Sequence, residues 1–249
     1  MLINKLPKIS IIIATYNSEH TIKRCLKSCL LQDYSNKEII VADAKSTDKT
    51  IQLVKEFESS NIIFFSEPDR GIYDAWNKAL KISKGDWACF IGSDDFWLSN
   101  NSITRLVQRI DNKKINFVSA KVKVYNSTRK IFYKMGKEWN YRKLSNNIHI
   151  AHPGSLHKTD LLKKNNLFDS SYLIAGDHDF LIRAGKDINA KFLDLEIIQM
   201  SDKGISNLKP ILAFYESSIA ISKSKNFGKI KGIIFFLKSL LKFFIRKFL

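Results

Sequence analysis

Four short apolar runs, rich in β-branched residues, recur through the first part of the chain: Ile9 to Ala14, Glu38 to Asp43, Ile62 to Phe65 and Trp87 to Ile91. Each is too short for a helix and shows little alternation, the pattern of strands buried on both faces. Between them lie stretches with helical signals. A helix is expected from Glu19 to Leu31 behind Ser18 as cap, a second from Ser46-Thr47-Asp48 through about Glu58, and a third from Gly71 to Ser83, with Gly85 as its stop. This βαβαβαβ order constrains the chain to an α/β fold with a mostly parallel central sheet and right-handed crossovers.

The second half is less regular. Ser99 to Ile110 reads as a helix, and Phe117 to Tyr125 with Lys130 to Lys134 as a hairpin across Asn126-Ser127-Thr128. Short helices are expected at Asp160 to Asn165 and Asp177 to Ala184, and a last strand at Lys191 to Met200.

Chemistry gathers where the strands end. Ligands of open α/β sheets bind outside the carboxyl ends of the strands. The first strand runs into Thr15-Tyr16-Asn17, the second ends at Asp43, and the fourth leads into Gly92-Ser93-Asp94-Asp95. Adjacent carboxylates repel, and a hard divalent cation bridging to phosphate oxygens relieves that repulsion. Helix capping is the alternative use of Asp94 or Asp95. An acid such as Asp43 can hydrogen-bond a nucleotide's base or ribose, whereas Asp43 and Asp48 also suit turns and caps. Neither GxGxxG nor GxxxxGK[ST] occurs, which leaves a dinucleotide fingerprint and a P-loop unsupported. His149, His152, His157 and His178 lack the ordered ligand spacing of a zinc site.

These segments together resemble the family-2 glycosyltransferases, enzymes of the GT-A (Rossmann-like) fold. The resemblance is carried by Ile11 to Asn17, Glu38 to Asp48, Ser66-Glu67-Pro68-Asp69-Arg70-Gly71-Ile72-Tyr73-Asp74-Ala75-Trp76-Asn77-Lys78 and Gly85 through Asp95. The Pro-Asp-Arg-Gly-Ile-Tyr-Asp-Ala stretch is similar to bacterial surface-polysaccharide enzymes of the O-antigen, capsule and colanic-acid type. The resemblance implies that Thr15, Tyr16 and Asp43 line a nucleotide pocket, with Asp43 on the base. It implies that Asp69, Arg70 and Asp95 help hold the nucleotide-sugar, and that Asp94 binds Mg²⁺ or Mn²⁺. Asp177, in Gly176-Asp177-His178-Asp179, falls on the general-base position, and His152 on a histidine near the acceptor or diphosphate. A helix N-terminus favours the ionised acid, in tension with a basic role for Asp177. The chain departs from the family pattern in having Ala44 and Lys45 after Asp43 and Gly92 where an acid often stands.

Charge is unevenly spread. The formal net charge is +17, and of the 41 basic residues eight lie from Lys223 onward, where there is no acid. On a helical wheel Lys231, Lys238, Lys242 and Arg246 share one face, opposite Ile230, Ile233, Leu237, Leu240, Leu241, Phe244, Ile245 and Phe248. The apolar runs are far shorter than the roughly 20 residues that span a bilayer. Residues 223–249 are therefore expected to form an amphipathic helix on an anionic membrane surface, after a catalytic domain over 1–222. Packing on that domain or on a partner is the alternative. Cys25, Cys29 and Cys89 are odd in number and lie in apolar segments, as reduced cysteines of a cytosolic protein would. Met1 to Lys8 leads straight into a strand, so no signal peptide is expected.

The expectation is an inverting, metal-dependent glycosyltransferase, peripheral on the inner face of the cell membrane. It would move a sugar from a nucleotide-sugar, UDP-linked by preference, to a glycan on a polyprenyl-diphosphate carrier, and bind no nucleic acid. The rival readings are a non-catalytic sugar- or membrane-binding module on a decayed scaffold, a metal-dependent nucleotidyltransferase and a basic nucleic-acid binder.

Overall fold

The alternating runs become a curled nine-stranded mixed sheet flanked by helices. A computed structural model describes residues 6–57, 62–127, 130–202 and 204–248, with side chains as far as residue 245. Glu58, Thr128 and the side chains of Arg246 and Phe248, named above, lie outside the described residues. The first half contains β1 (Ile9–Thr15), α1 (Ile22–Leu30), β2 (Lys37–Asp43), α2 (Thr50–Lys55), β3 (Ile62–Ser66), α3 (Ile72–Ile82) and β4 (Trp87–Gly92). Its strands run parallel in the order β3-β2-β1-β4. Ile11 and Ile13 pack with Ile22, Cys25 and Leu26 on one side of the sheet, while Ile12, Ile40 and Phe90 pack with Ala75, Trp76 and Ala79 on the other. Burial on both faces explains why these strands read as unbroken apolar runs.

The second half comprises β5 (Phe96–Trp97), α4 (Ser102–Val107), β6 (Phe117–Asn126), β7 (Ile131–Met135), β8 (Leu156–Lys158), α5 (Thr159–Lys164), α6 (Gly176–Ala184), β9 (Ala190–Ser201), α7 (Ile205–Leu208), α8 (Pro210–Lys223) and α9 (Gly228–Phe248). It extends the sheet through β4-β8-β6-β9-β5, with β7 paired to β6 as expected of the hairpin. β8 is antiparallel to both β4 and β6, and β6 runs parallel to β9. The sheet is thus parallel in its first half and mixed in its second.

Three helices start later than expected: α4 at Ser102, and α1 and α2, whose first residues hold loops instead. The Ser18 hydroxyl donates to Tyr16 O and lies 2.7 Å from Ser93 Oγ, so α1 begins only at Ile22. Asp48 accepts from Thr50 N and Glu19 N, the turn chemistry open to it, and α2 begins at Thr50.

The expected boundary at 222/223 falls in the last turn of α8, and α9 packs back on the domain. Phe235 is only 3% exposed and belongs to the same apolar cluster as Phe180 and Ile221. A Cβ on Gly232 would meet Ser222 Oγ at 2.0 Å and Ser218 O at 2.5 Å, so the two helices cross there with nothing between their backbones. The tail docks by a side other than its broad apolar stripe. Phe235, which shares a side of the wheel with Lys231, Lys238 and Lys242, faces the domain, while Ile230, Ile233, Ile234, Leu237, Leu241, Phe244 and Ile245 remain exposed. No helix among the described residues is long and apolar enough to cross a membrane.

Candidate active site

Parallel register brings residues far apart in sequence to one edge of the sheet. Thr15 pairs with Asp43, Asp43 with Ser66, and Ala14 with Gly92. The strand order turns between β1 and β4, and beside that point the carboxyl ends of β1, β2 and β3 open a cavity of about 540 Å³. Thr15, Tyr16, Lys45, Asp69, Gly71 and Ile72 are among its lining residues. The loops after β1 and β2 are stitched together by Asn17, which donates from its backbone to Ser46 Oγ and accepts from Thr47 N. Asn17 and Lys45 both hold left-handed φ, at 46° and 58°. Lys45 thus adopts the conformation a glycine would take at less cost, and brings a cation to the cavity.

Thr15 Oγ1 is buried without a hydrogen-bond partner among the described residues, so a ligand at the cavity floor would satisfy it. Tyr16 is 60% exposed and offers its ring as a platform. Asp69 accepts from Gly71 N, and burial raises its carboxyl pKa. Arg70 stands at the surface, reaching Asp74 and Ser170. Asp43 is placed differently from the expectation. It is 1% exposed, behind the wall, and its carboxylate accepts from Ser46 N, Ser46 Oγ and Ser66 Oγ. It builds the cavity and does not line it.

Beyond Ala14, Asp94 and Asp95 follow β4. Asp95 is 5% exposed, accepts from Gly92 N, and has its pKa pushed up to about 8 by burial and by Asp94. Burial also raises Asp94. Arg24 donates to the Asp94 backbone oxygen, and neither carboxylate has an ion pair among the described residues. Arg24 lowers both acids, yet burial outweighs it, so the pair holds back a proton that an incoming cation would displace. Two carboxylates from one loop suit a hard cation that takes its remaining ligands from phosphate and water. No group of three His, Cys, Asp or Glu among the described residues could hold a metal ion. Gly92 lies against both acids, since a Cβ there would meet Asp94 Oδ1 at 2.8 Å.

Asp177 opens α6 and lines a second cavity, also about 540 Å³. Its Oδ1 accepts from His178 N at 2.8 Å and from the Tyr73 hydroxyl at 3.2 Å. Burial raises the Asp177 pKa, against the lowering pull of His178, and so overrides the helix N-terminus. Asp179 is different: Arg183 holds it at 2.6 Å and ties it to the loop before α6. A Cβ on Gly176 would strike the Tyr73 ring at 2.8 Å, so glycine admits the tyrosine beneath the helix start.

Glu216 of α8 escaped the sequence reading. Its buried carboxylate accepts from Leu173 N, Ile174 N and Ala175 N, at 2.9, 2.8 and 2.9 Å, and so fixes the loop that delivers Asp177. The i−3 and i+4 neighbours of Glu216 give no hint, because its partners lie some forty residues earlier. Glu216→Ala should strand three buried donors. We expect a stability loss of about 3 kcal/mol in thermal denaturation, with Glu216→Gln losing less.

His152 lines the second cavity, stacked on Trp76 at 5.2 Å and close to His157. Burial lowers its pKa to about 3, so it is neutral at physiological pH and offers a diphosphate no positive charge. One link joins the two cavities. Gly71 and Ile72 line the first, and the next residue, Tyr73, touches Asp177 in the second.

A model of the family described as Glycosyl transferase family 2 matches residues 10–185. A UDP-Glc:alpha-D-GlcNAc-diphosphoundecaprenol beta-1,3-glucosyltransferase of Escherichia coli, WfgD, is 36% identical over 120 residues, 48% of this chain and 47% of that protein. The chain spans about half the length of WfgD and of a second Escherichia coli glucosyltransferase it matches, WfaP. The crystal structure of S. aureus TarS in complex with UDP-GlcNAc has a TM-score of 0.71 at 23% identity, covering 94% of this chain and 71% of that one. A mannosyltransferase, PcManGT from Pyrobaculum calidifontis in complex with GDP-Man and Mn²⁺, has a TM-score of 0.70 at 19% identity, covering 91% and 66%. At these identities the likeness is one of fold, and the fold is GT-A-like, as the sequence resemblance implied.

Proposed function

This chain belongs to glycosyl transferase family 2, and we propose that it moves a sugar from a nucleotide-sugar to an acceptor linked to a polyprenyl diphosphate in bacterial surface-polysaccharide synthesis. The observation that carries the reading is the start of α3, which walls the strand-end cavity with Gly71 and Ile72 and touches Asp177 with Tyr73. A donor cavity and a carboxylate on the acceptor side thus share one rigid element. WfgD's name supplies the donor and acceptor class, a UDP-sugar and a diphosphoundecaprenol-linked sugar.

In this reading the nucleotide lies across Thr15 and Tyr16, with Asp69 and Arg70 toward the sugar and diphosphate. Asp43 holds the cavity's floor through Ser46 and Ser66. Asp94, with Asp95 beside it, would hold Mg²⁺ or Mn²⁺, which when bound supplies positive charge to the departing diphosphate. Asp177 takes the acceptor hydroxyl's proton as that oxygen attacks the anomeric carbon. One direct displacement inverts the configuration there, and held orientation supplies much of the rate. A panel of nucleotide-sugars, assayed with Mg²⁺ or Mn²⁺ and an undecaprenyl-type acceptor, tests the reading. Release of nucleoside diphosphate from one donor supports it. Inertness across the panel, or release of diphosphate, would favour the decayed scaffold or the nucleotidyltransferase instead.

Beside the exposed apolar stripe of α9, Ile205, Leu208, Ile211 and Tyr215 of α7 and α8 are exposed, Tyr215 meets Phe236 of α9 at 6.3 Å, and lysines flank the stripe on the helix. This supports a membrane-surface role for α7, α8 and α9, which we place at the cytoplasmic face. Each basic residue near an anionic surface is worth about 1 kcal/mol, and salt screens that part alone. Full-length protein should bind anionic vesicles in co-sedimentation, more weakly at high salt and on neutral lipid. Leu237→Glu with Leu241→Glu should release it without unfolding, since both side chains are exposed. Unchanged sedimentation of that variant would contradict the membrane role.

A further inference from the structure

The second cavity does not end at the catalytic domain. Its wall runs from Asp177 and His152 past Asn147 to Ser239, Lys242 and Phe243 of α9. Asp177 is the one carboxylate among its described lining residues and Lys242 the one cation. The cavity is therefore bipolar, acidic where a hydroxyl would be deprotonated and basic where α9 closes it. α9 carries no acid, and Lys242 has no ion pair among the described residues, so its charge is available to a ligand. Lys242 also sits on the flank of α9 between the docked side of Phe235 and the exposed stripe of Leu241 and Ile245.

We propose that Lys242 binds the diphosphate of the lipid-linked acceptor, and that α9 is a wall of the acceptor site as well as a membrane contact. The inference rests on the glycosyltransferase reading above. An amphiphile whose tail follows the apolar stripe would bring its first anionic group to Lys242. The sugar beyond that group would then enter the cavity toward Asp177. Lys231 and Lys238 line a different groove, beside Arg142 and Lys186, and have no part in this site.

The test uses full-length protein in neutral detergent, with UDP saturating the donor cavity, and compares farnesyl diphosphate with farnesol by calorimetry. The wild type should prefer the diphosphate by at least about tenfold, the scale of one charge-assisted contact. Lys242→Gln should reduce that preference to nearly nothing, Lys242→Arg should restore most of it, and the Lys231→Gln, Lys238→Gln double variant should keep it. Equal binding of both probes by the wild type, or an undiminished preference in Lys242→Gln, would overturn the proposal. Preserved diphosphate preference with no turnover of any nucleotide-sugar would sink the enzymatic reading alone. Turnover with no preference would sink this proposal alone.

Discussion

Asp177→Asn is expected to lower turnover by about 10²–10⁴ while leaving nucleotide-sugar affinity unchanged, because it removes a proton acceptor and little else. Asparagine keeps the shape of aspartate and can still accept from His178 N and Tyr73 through one oxygen. The sign of the pH dependence follows from the raised pKa of Asp177. The reaction needs the ionised carboxylate, so kcat/KM should fall as pH drops through that pKa. This acid limb should lie above the range of an exposed aspartate, near 3.9, and should vanish in Asp177→Asn. Asp179→Asn provides the contrast. Its carboxylate holds Arg183 and through it the loop at Leu167, so its loss should cost stability rather than the chemical step. A loss of donor affinity as large as the loss of rate would place Asp177 on the donor instead. An unaffected rate would remove it from the chemistry.

Asp94→Asn is expected to cost on the order of 100-fold in turnover and to abolish the gain in donor affinity that Mg²⁺ or Mn²⁺ provides. The fold should persist, with thermal stability unchanged or higher, because burial already disfavours the ionised Asp94 carboxylate that the substitution removes. Isothermal titration of UDP with and without metal separates this loss from a general collapse of the cavity. Turnover that survives both the substitution and saturating chelator would remove the metal from the account.

The parts of this molecule that announce themselves in sequence are those whose local pattern and final position agree. β1, β2 and β4 are buried on both faces, so Ile11 to Ile13 and Ile39 to Val41 carry their placement in their composition. The ends of those strands follow at once, which is why Thr15 and Asp94 could be put at one edge from sequence. Asp43 shows the limit of that reasoning. Its place at the strand end was legible, but Ser46 and Ser66 engage its carboxylate, and a serine on the neighbouring strand is visible only in the register.

The second half hides more because its elements are short or lack a polar face. β5 and β8 have two and three residues, too few to show any period. α8 is packed between α6 and α9, so its apolar residues fall all round and no amphipathic stripe marks it. With α8 unseen, Glu216 and its grip on the Asp177 loop were unseen too. The tail was legible as an amphipathic helix, yet its wheel does not tell which side meets protein. Gly232 does, since a helix crossing as close as that one leaves room for no side chain.

The stereochemistry and the leaving group of the reaction test the central claim most directly. Proton NMR of the new glycosidic linkage, with phosphorus NMR of the released product, reads both in one reaction of full-length protein, nucleotide-sugar and polyprenyl-diphosphate acceptor. The account predicts nucleoside diphosphate and an anomeric configuration opposite to that of the donor, as a single displacement assisted by Asp177 requires. Retained configuration, or inorganic diphosphate as the leaving group, would contradict it.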